Sequence, residues 1–111
     1  FLLLTGDDAT AIDFLLLGGH GGISVTANVT PKELQKAYLA AIAGNAEVAK
    51  KFNEGLSGLH KNLFIESNPI PVKWALHKMG MCDNGIRLPL LELSSKCKTV
   101  VESDLKELNL I

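Results

Sequence analysis

The sequence has few cysteines and no long apolar run, and each absence argues against a class of protein. Its two cysteines, Cys82 and Cys97, lack CxxC spacing and are too few for a disulfide framework. No histidines stand at a spacing that would complete a zinc site, so we expect two reduced thiols in a cytosolic protein. No apolar run approaches the roughly 20 residues of a membrane span. The apolar start at Phe1–Leu4 lacks the basic flank of a signal peptide.

Positive charge is missing from the first part of the chain. Residues 1–30 contain three aspartates and no Lys or Arg, whereas all eleven cations follow. The net charge of -1 and the absence of a basic cluster give no reason to expect nucleic acid as a partner. A hydrophobic content of 47% in 111 residues is typical of one globular domain. The first residue is not Met, so we expect the chain to begin inside a longer sequence.

The first 26 residues follow the order strand, helix, strand. Phe1–Leu4 is a continuous apolar run, which is typical of a strand buried on both faces. Asp7 or Asp8 can cap a helix over Ala9–Leu17, and a glycine pair ends that helix. Gly22–Thr26 is short and β-branched, which favours a second strand. This order predicts a parallel βαβ unit with a right-handed crossover.

The rest of the chain predicts helices. Thr30-Pro31 is a helix start, Glu33 completes the pattern of a capping box, and Gly44 ends the helix. A long helix is expected next, and Asn68–Pro71 interrupts it because prolines cannot donate backbone hydrogen bonds. Two more helices are expected, one of them over Val72–Met79. The buried stripes predicted for the long helix and the last helix are Val48, Phe52, Leu56, Leu59 and Leu63, and Leu93, Cys97, Val101, Leu105 and Leu108.

The order of elements predicts part of a larger sheet. Two parallel strands with both outer edges unpaired do not form a stable sheet by themselves. Six further strands would close an eight-stranded barrel, a fold of about 250 residues. We therefore predict the α/β class: the C-terminal part of a (β/α)8 TIM barrel. Residues 1–43 would form its last two β/α units, and residues 44–111 would form a C-terminal helical extension.

In such barrels the functional groups gather where strands end. Gly6 follows the first predicted strand and would let the backbone approach a ligand closely, although an ordinary turn glycine gives the same pattern. Asp7 and Asp8 fit an acid–base pair or, more commonly, helix caps. The stretch Ser24–Asn28 ends the second predicted strand. The glycine-rich segment 18–22 precedes a strand, so it does not fit a phosphate-binding loop.

The remaining chemically versatile side chains are expected to be structural. His20 precedes the second strand and so lies at the end of the barrel opposite to catalysis. His60 and His77 are expected on helices without metal-ligand spacing, and Trp74 stands among apolar residues that indicate packing. No spacing suggests a Ser-His-Asp or Cys-His arrangement.

Four blocks of the sequence carry a family resemblance: Leu4-Thr5-Gly6-Asp7-Asp8, residues 17–28 (LGGHGGISVTAN), residues 63–76 (LFIESNPIPVKWAL) and residues 85–90 (GIRLPL). They resemble the C-terminal portion of the dihydrodipicolinate synthase family, a branch of the pyruvate-dependent class I aldolases. The block Asn68-Pro69-Ile70-Pro71-Val72-Lys73 is highly specific for this branch. The resemblance runs over essentially the whole chain.

The resemblance implies a (β/α)8 barrel with three additional C-terminal helices, usually a homotetramer. Such an enzyme condenses pyruvate with aspartate semialdehyde in lysine and diaminopimelate biosynthesis, in the cytoplasm and without a cofactor or metal. A lysine on the sixth strand forms a Schiff base with pyruvate, and a tyrosine with two threonines relays protons. These residues precede Phe1, so no residue of this chain is assigned a catalytic role. The isolated chain is expected to be inactive.

The resemblance also implies four substrate-binding positions in this chain. Ile23 and Gly6 correspond to positions whose main chain lies at the barrel mouth, with Ile23 contacting pyruvate. Asp7 and Asn68 correspond to positions near the aldehyde substrate. The departures are small: Gly22 stands where Val is frequent in the family, and Ser67 where Pro is frequent.

Two other functions stay open on the sequence. One is a different pyruvate-dependent aldolase, of the N-acetylneuraminate lyase type, which shares the glycine-rich block more loosely. The other is a non-catalytic, self-associating helical fragment, because an uncovered apolar face invites partners. The mass of the natural protein separates a fragment of about 12 kDa from a full-length enzyme.

Overall fold

The computed structural model describes all residues from Phe1 to Ile111. It divides into two compact units, Phe1–His60 and Lys61–Ile111. The boundary between barrel and extension, which the sequence places after residue 43, is a different division and stays a prediction. The elements are β1 (Leu4–Thr5), α1 (Ala11–Leu16), β2 (Gly21–Gly22), α2 (Thr26–Val29), α3 (Pro31–Ile42), α4 (Ala46–Glu54), α5 (Ser57–Asn62), α6 (Ile70–Lys78) and α7 (Ser95–Glu107).

Strands β1 and β2 are parallel, with Leu4 opposite Gly21 and Thr5 opposite Gly22. The predicted βαβ unit is therefore confirmed, with α1 as its crossover helix. The predicted extent of the second strand is wrong. Val25 has helical angles, with φ -71° and ψ -42°, and Thr26 already begins α2.

The first strand is less covered than its apolar sequence suggests. Its predicted burial on both faces is not found, because a sheet of two strands leaves both outer edges and much of each face open. Leu4 is 53% exposed, and Leu2 and Leu3 are also exposed.

The core of the first unit lies between α1 and the two helices that follow α2. Ile12 and Leu15 of α1 are buried against small residues of α3 and α4, and Phe14 and Tyr38 pack at the edge of this cluster. Small side chains let helix backbones approach closely, so little apolar volume suffices to hold these helices together. The buried alanines that make this contact are Ala37, Ala41 and Ala49.

Helix α3 starts at Pro31 as predicted, but the capping box is not formed. The Thr30 side chain makes no capping hydrogen bond, although the residue is buried. The Glu33 carboxylate instead lies 3.0 Å from the ammonium of Lys36, one turn further along the helix. An ion pair at this spacing competes with the backward reach that a capping box requires.

The single long helix predicted after Gly44 is wrong: α4 and α5 are separate helices. The Ser57 hydroxyl donates to the carbonyl of Glu54 at 2.8 Å, and a serine that bonds back in this way bends helices. Only part of the buried stripe predicted for this long helix is buried in the structure. Val48 and Phe52 are partly exposed, at 38% and 36%, and in α4 Ala49 is buried instead. The remaining members, Leu56, Leu59 and Leu63, are buried as predicted.

Four helices end in the same hydrogen-bonded motif. After α1 the N–H of Gly18 donates to Leu15 and the N–H of Gly19 donates to Phe14. This is a Schellman motif, and the φ of +104° at Gly18 is the left-handed geometry that it needs. The other three motifs have their left-handed residues at Gly44 after α3, Gly80 after α6 and Asn109 after α7. The predicted helix ends at Gly44 and Gly80 are confirmed.

The second unit is built around α6 and α7. Trp74 of α6 is 7% exposed, which confirms its packing role. Val101 and Leu105 of α7 are fully buried and Leu93 nearly so, whereas Cys97 is only partly covered. Both cysteines are free thiols. No helix of the structure combines the length and the apolar character that crossing a membrane requires.

Candidate functional site

The carboxyl ends of the two strands form one site in the first unit. Gly6 follows β1 directly, as the strand pattern predicts, and Ile23 follows β2 directly, at the strand end where the family resemblance places it. The N–H of Ile23 donates to the carbonyl of Thr5 at 2.9 Å, which continues the parallel pairing by one residue. Ile23 is 75% exposed, and its carbonyl oxygen accepts no hydrogen bond from the chain. The main chain of Ile23 is therefore open to a ligand.

Gly6 stands in open space. A Cβ atom added to it would have no heavy atom of the chain within 4 Å, and its φ lies outside the left-handed region. The fold of this chain therefore does not require glycine here.

We expect Gly6→Ala to keep or slightly raise the stability of the full-length protein, by up to about 1 kcal/mol, because alanine restricts the unfolded chain. Chemical unfolding measures this effect. If the strand end contacts pyruvate, the same variant raises the KM for pyruvate, because the methyl group occupies ligand space. A loss of several kcal/mol in stability would show that Gly6 is needed for packing.

The two neighbouring aspartates do different things. Asp7 is exposed, and its Oδ2 accepts from the N–H of Thr10 at 3.1 Å and from the Thr10 hydroxyl at 2.6 Å. These bonds close the turn before α1. The N-cap of α1 is Thr10, whose side chain makes no capping hydrogen bond, so the predicted cap of α1 by Asp7 is wrong. Asp8 is 2% exposed and accepts three hydrogen bonds, from the Ser24 hydroxyl and from the N–H groups of Val25, at 3.0 Å, and Thr26, at 3.2 Å. Asp8 therefore binds the start of α2, where the Ser24 hydroxyl also accepts from the N–H of Ala27 at 3.0 Å, and these bonds hold the chain in a turn directly after β2.

A second buried chain of polar groups supports this turn. The Thr26 hydroxyl lies 2.9 Å from Nδ1 of His60, and Nε2 of His60 lies 2.9 Å from Oδ1 of Asn53. A neutral ring with its proton on Nε2 satisfies both contacts. His60 is 6% exposed, so it is a buried histidine with both nitrogens satisfied. No sequence pattern indicates this set of hydrogen bonds, because 34 residues separate Thr26 from His60.

Burial lowers the pKa of His60 below its ordinary value of 6.5, and the nearby carboxylates of Asp8 and Asp7 oppose that shift only in part. The unfolded chain therefore binds more protons than the folded chain just below pH 6.5. Stability rises with pH wherever this holds. We expect the free energy of unfolding to fall as pH decreases from about 6.5 toward the lowered pKa, in a denaturant series at several pH values. His60→Gln should flatten that fall and His77→Gln should retain it; equal slopes in both variants would contradict the assignment.

His20 lies at the opposite end of β2 from Ile23. Its Nδ1 accepts from the N–H of Leu3 at 3.0 Å, and its own N–H donates to the carbonyl of Leu3 at 2.9 Å. These bonds hold the start of β2 to the chain before β1. The structural role expected for His20 is therefore confirmed.

Gly22 leaves room for Tyr38. A Cβ atom at Gly22 would lie 2.7 Å from the Tyr38 hydroxyl and 3.2 Å from Cγ2 of Thr5. Burial, and then the charge of Asp8, raise the pKa of Tyr38 above its ordinary value, so the phenol stays protonated at neutral pH. A glycine at this position is explained by the tyrosine that fills the space.

Asn68 belongs to the second unit. It is exposed, in the loop before α6, and its side chain makes no hydrogen bond within the chain. A groove of about 330 Å³ in the same unit is lined by Ile70, Trp74, Leu88 and Leu93, and Asn68 is not among its lining residues. No group of three or more His, Cys, Asp or Glu side chains is arranged to hold a metal ion.

The fold and the strand-end site define a class of protein: an α/β barrel, of which this chain is the C-terminal part. A solved structure shows the match directly. It is the chloride-inhibited dihydrodipicolinate synthase from Acinetobacter baumannii complexed with pyruvate, with a TM-score of 0.97 and 47% identity. The superposition covers 100% of this chain and 38% of that protein.

The sequence comparisons name the family. The profile described as the Dihydrodipicolinate synthetase family matches residues 1–108, and the chain belongs to this family. The 4-hydroxy-tetrahydrodipicolinate synthase of Ruthia magnifica subsp. Calyptogena magnifica is 57% identical over 111 residues, and that of Laribacter hongkongensis (strain HLHK9) is 58% identical over 111 residues. Each alignment covers 100% of this chain, which spans 38% of the length of these curated relatives.

Proposed function

We propose that this chain acts as the C-terminal part of a 4-hydroxy-tetrahydrodipicolinate synthase. This enzyme is a lyase that condenses pyruvate with aspartate semialdehyde through a Schiff base, on the route to lysine and diaminopimelate. The observation that carries the proposal is the match over the whole chain to proteins of that name at 57% and 58% identity. The pyruvate complex of the Acinetobacter baumannii structure supports the choice of substrate. The alternative of an N-acetylneuraminate lyase gains no support from these comparisons.

In this proposal residues 1–43 supply the last two β/α units of the barrel and residues 44–111 supply the helical extension. The main chain of Gly6 and Ile23 forms part of the pyruvate site. The exposure of Ile23, the free carbonyl oxygen of that residue and the open space at Gly6 support this placement. Asp7 and Asn68 lie toward the aldehyde substrate. Both are exposed and polar, as such a role requires.

The covalent step belongs to the rest of the enzyme. A lysine amine outside this chain attacks the ketone carbon of pyruvate, water leaves, and the resulting imine makes the methyl group acidic enough to add to the aldehyde. The residues of this chain bind and orient the substrates, and correct orientation lowers the barrier of a bimolecular step. We place the full-length enzyme in the cytoplasm as a homotetramer that needs no cofactor.

The test uses the full-length protein that contains this chain. Pyruvate with borohydride should add one reduced pyruvyl group, detected by mass, and pyruvate with aspartate semialdehyde should be consumed together. Asn68→Ala should raise the KM for the aldehyde and leave pyruvate trapping unchanged, whereas Ser67→Ala, at the exposed neighbour, should change neither. Cleavage of N-acetylneuraminate without condensation of aspartate semialdehyde would reject the proposal.

A further inference from the structure

We propose that Asp8 is a positioning residue that holds the main chain of Ile23 in place for the bound pyruvate. This inference rests on the proposed function. It concerns a carboxylate that touches no substrate and acts through the turn that it fixes.

Asp8 is a buried charge that the turn after β2 satisfies. A carboxylate buried without partners is costly, so its hydrogen bonds decide where it can lie. All three donors come from Ser24, Val25 and Thr26, the three residues that directly follow Ile23. Hydrogen bonds to a charged acceptor are stronger than neutral ones. The Asp8 carboxylate therefore ties all three residues of this turn to one buried side chain.

Ile23 is fixed from both sides. Its N–H is bonded to Thr5 of β1, and the residues after it are bonded to Asp8. The carbonyl of Ile23 lies between these two attachments and has no partner in the chain. Its direction is thus set before any ligand arrives, and preorganised groups bind without paying the ordering cost at the time of binding.

Asp8 also joins the two candidate loops. It belongs to the loop after β1, two residues beyond Gly6, and its carboxylate reaches the loop after β2. Behind that loop, Thr26 is held by His60, which is held in turn by Asn53. The turn after β2 is therefore held by two buried side chains, the carboxylate of Asp8 and the imidazole of His60.

The simpler explanation is that Asp8 only stabilises α2 as its cap. The two explanations differ in what a variant does to the folded enzyme. A cap with no further role lowers the fraction of folded protein and so lowers the apparent kcat. A positioning residue weakens pyruvate binding in the molecules that remain folded, which raises the KM for pyruvate.

The test compares Asp8→Asn with Asp13→Asn in the full-length enzyme. Asparagine keeps the shape but removes the charge and turns one acceptor into a donor that faces the Ser24 hydroxyl or the backbone N–H groups. Asp13 is an exposed aspartate of α1 and serves as the matched control. We expect Asp8→Asn to raise the KM for pyruvate about tenfold to a hundredfold, in kinetics and in borohydride trapping, with a much smaller change in kcat.

Ser24→Ala keeps the two N–H bonds to Asp8 and removes the hydroxyl, which donates to Asp8 and also accepts from the N–H of Ala27 at 3.0 Å. It should raise the KM for pyruvate about threefold to tenfold, and it carries the test if Asp8→Asn does not fold. A KM for pyruvate equal to that of Asp13→Asn in the folded variants, or a fall in kcat alone that follows the folded fraction, would overturn the inference and leave the proposed function intact. Failure of the unsubstituted protein to trap pyruvate would reject the proposed function, and the inference with it.

Discussion

The 111-residue chain alone, incubated with pyruvate and borohydride, is expected to keep its unmodified mass of 11.9 kDa. Its first lysine is Lys32, so no lysine stands in either strand-end loop. A Schiff base at a useful rate needs an amine activated by its surroundings and placed against the ketone, and binding groups cannot replace that covalent step. We expect a complete loss of synthase activity relative to the full-length enzyme.

Mass spectrometry after borohydride reduction measures this directly. The full-length protein treated in parallel is the positive control and should gain one reduced pyruvyl group. A stable adduct on the isolated chain would contradict the prediction, and its position would identify an unexpected nucleophile among the lysines.

The variant Gly19→Ala is expected to destabilise the protein by about 1–3 kcal/mol, as overpacking does. A Cβ atom at this position would lie 2.2 Å from Cε1 of Phe14 and 2.9 Å from its carbonyl oxygen. The Phe14 ring packs against the core cluster of the first unit, so a shift of the ring disturbs that packing, and the carbonyl is held by the Gly19 N–H at 3.0 Å. Neither contact can be relieved cheaply.

Chemical unfolding of the full-length protein measures this loss. Gly55→Ala is the matched control, because Gly55 has helical angles and a Cβ there would make only ordinary contact, at 3.5 Å, with the Phe52 carbonyl. That variant should be neutral or slightly stabilising. Equal losses in both variants would show that the close packing at Gly19 is not what matters.

The sequence predicts the parallel strand pair because its signal is local. An apolar run, a helix and a glycine-rich turn follow one another within 26 residues, and the position of Gly6 at the end of the first strand follows from that order. The position of Ile23 at the end of the second strand came from the family resemblance. The end of the second strand could not be predicted in the same way. It is set by the Asp8 carboxylate, which reaches Val25 across 17 residues of chain.

The spacing of apolar residues predicts which face of a helix is buried better than it predicts where the helix ends. Leu56, Leu59 and Leu63 keep the predicted periodicity although the helix is broken at Gly55, so periodicity alone does not reveal the break. The predicted capping box is not formed, and the Glu33 carboxylate pairs with Lys36 instead. The substrate-binding roles of Gly6, Asp7, Ile23 and Asn68 came from the family resemblance and stay predictions.

The contact between Gly22 and Tyr38 constrains how this family can diverge. The family resemblance implies valine at the position of Gly22 in other members, yet here a Cβ atom would lie 2.7 Å from the Tyr38 hydroxyl. A lineage that carries both large residues at once passes through an overpacked intermediate. Replacement of the tyrosine by a smaller residue must therefore come first on a path toward valine, and loss of the valine must come first on the reverse path. Positions 22 and 38 are therefore expected to covary in the family, and the order of the two substitutions depends on the direction of change.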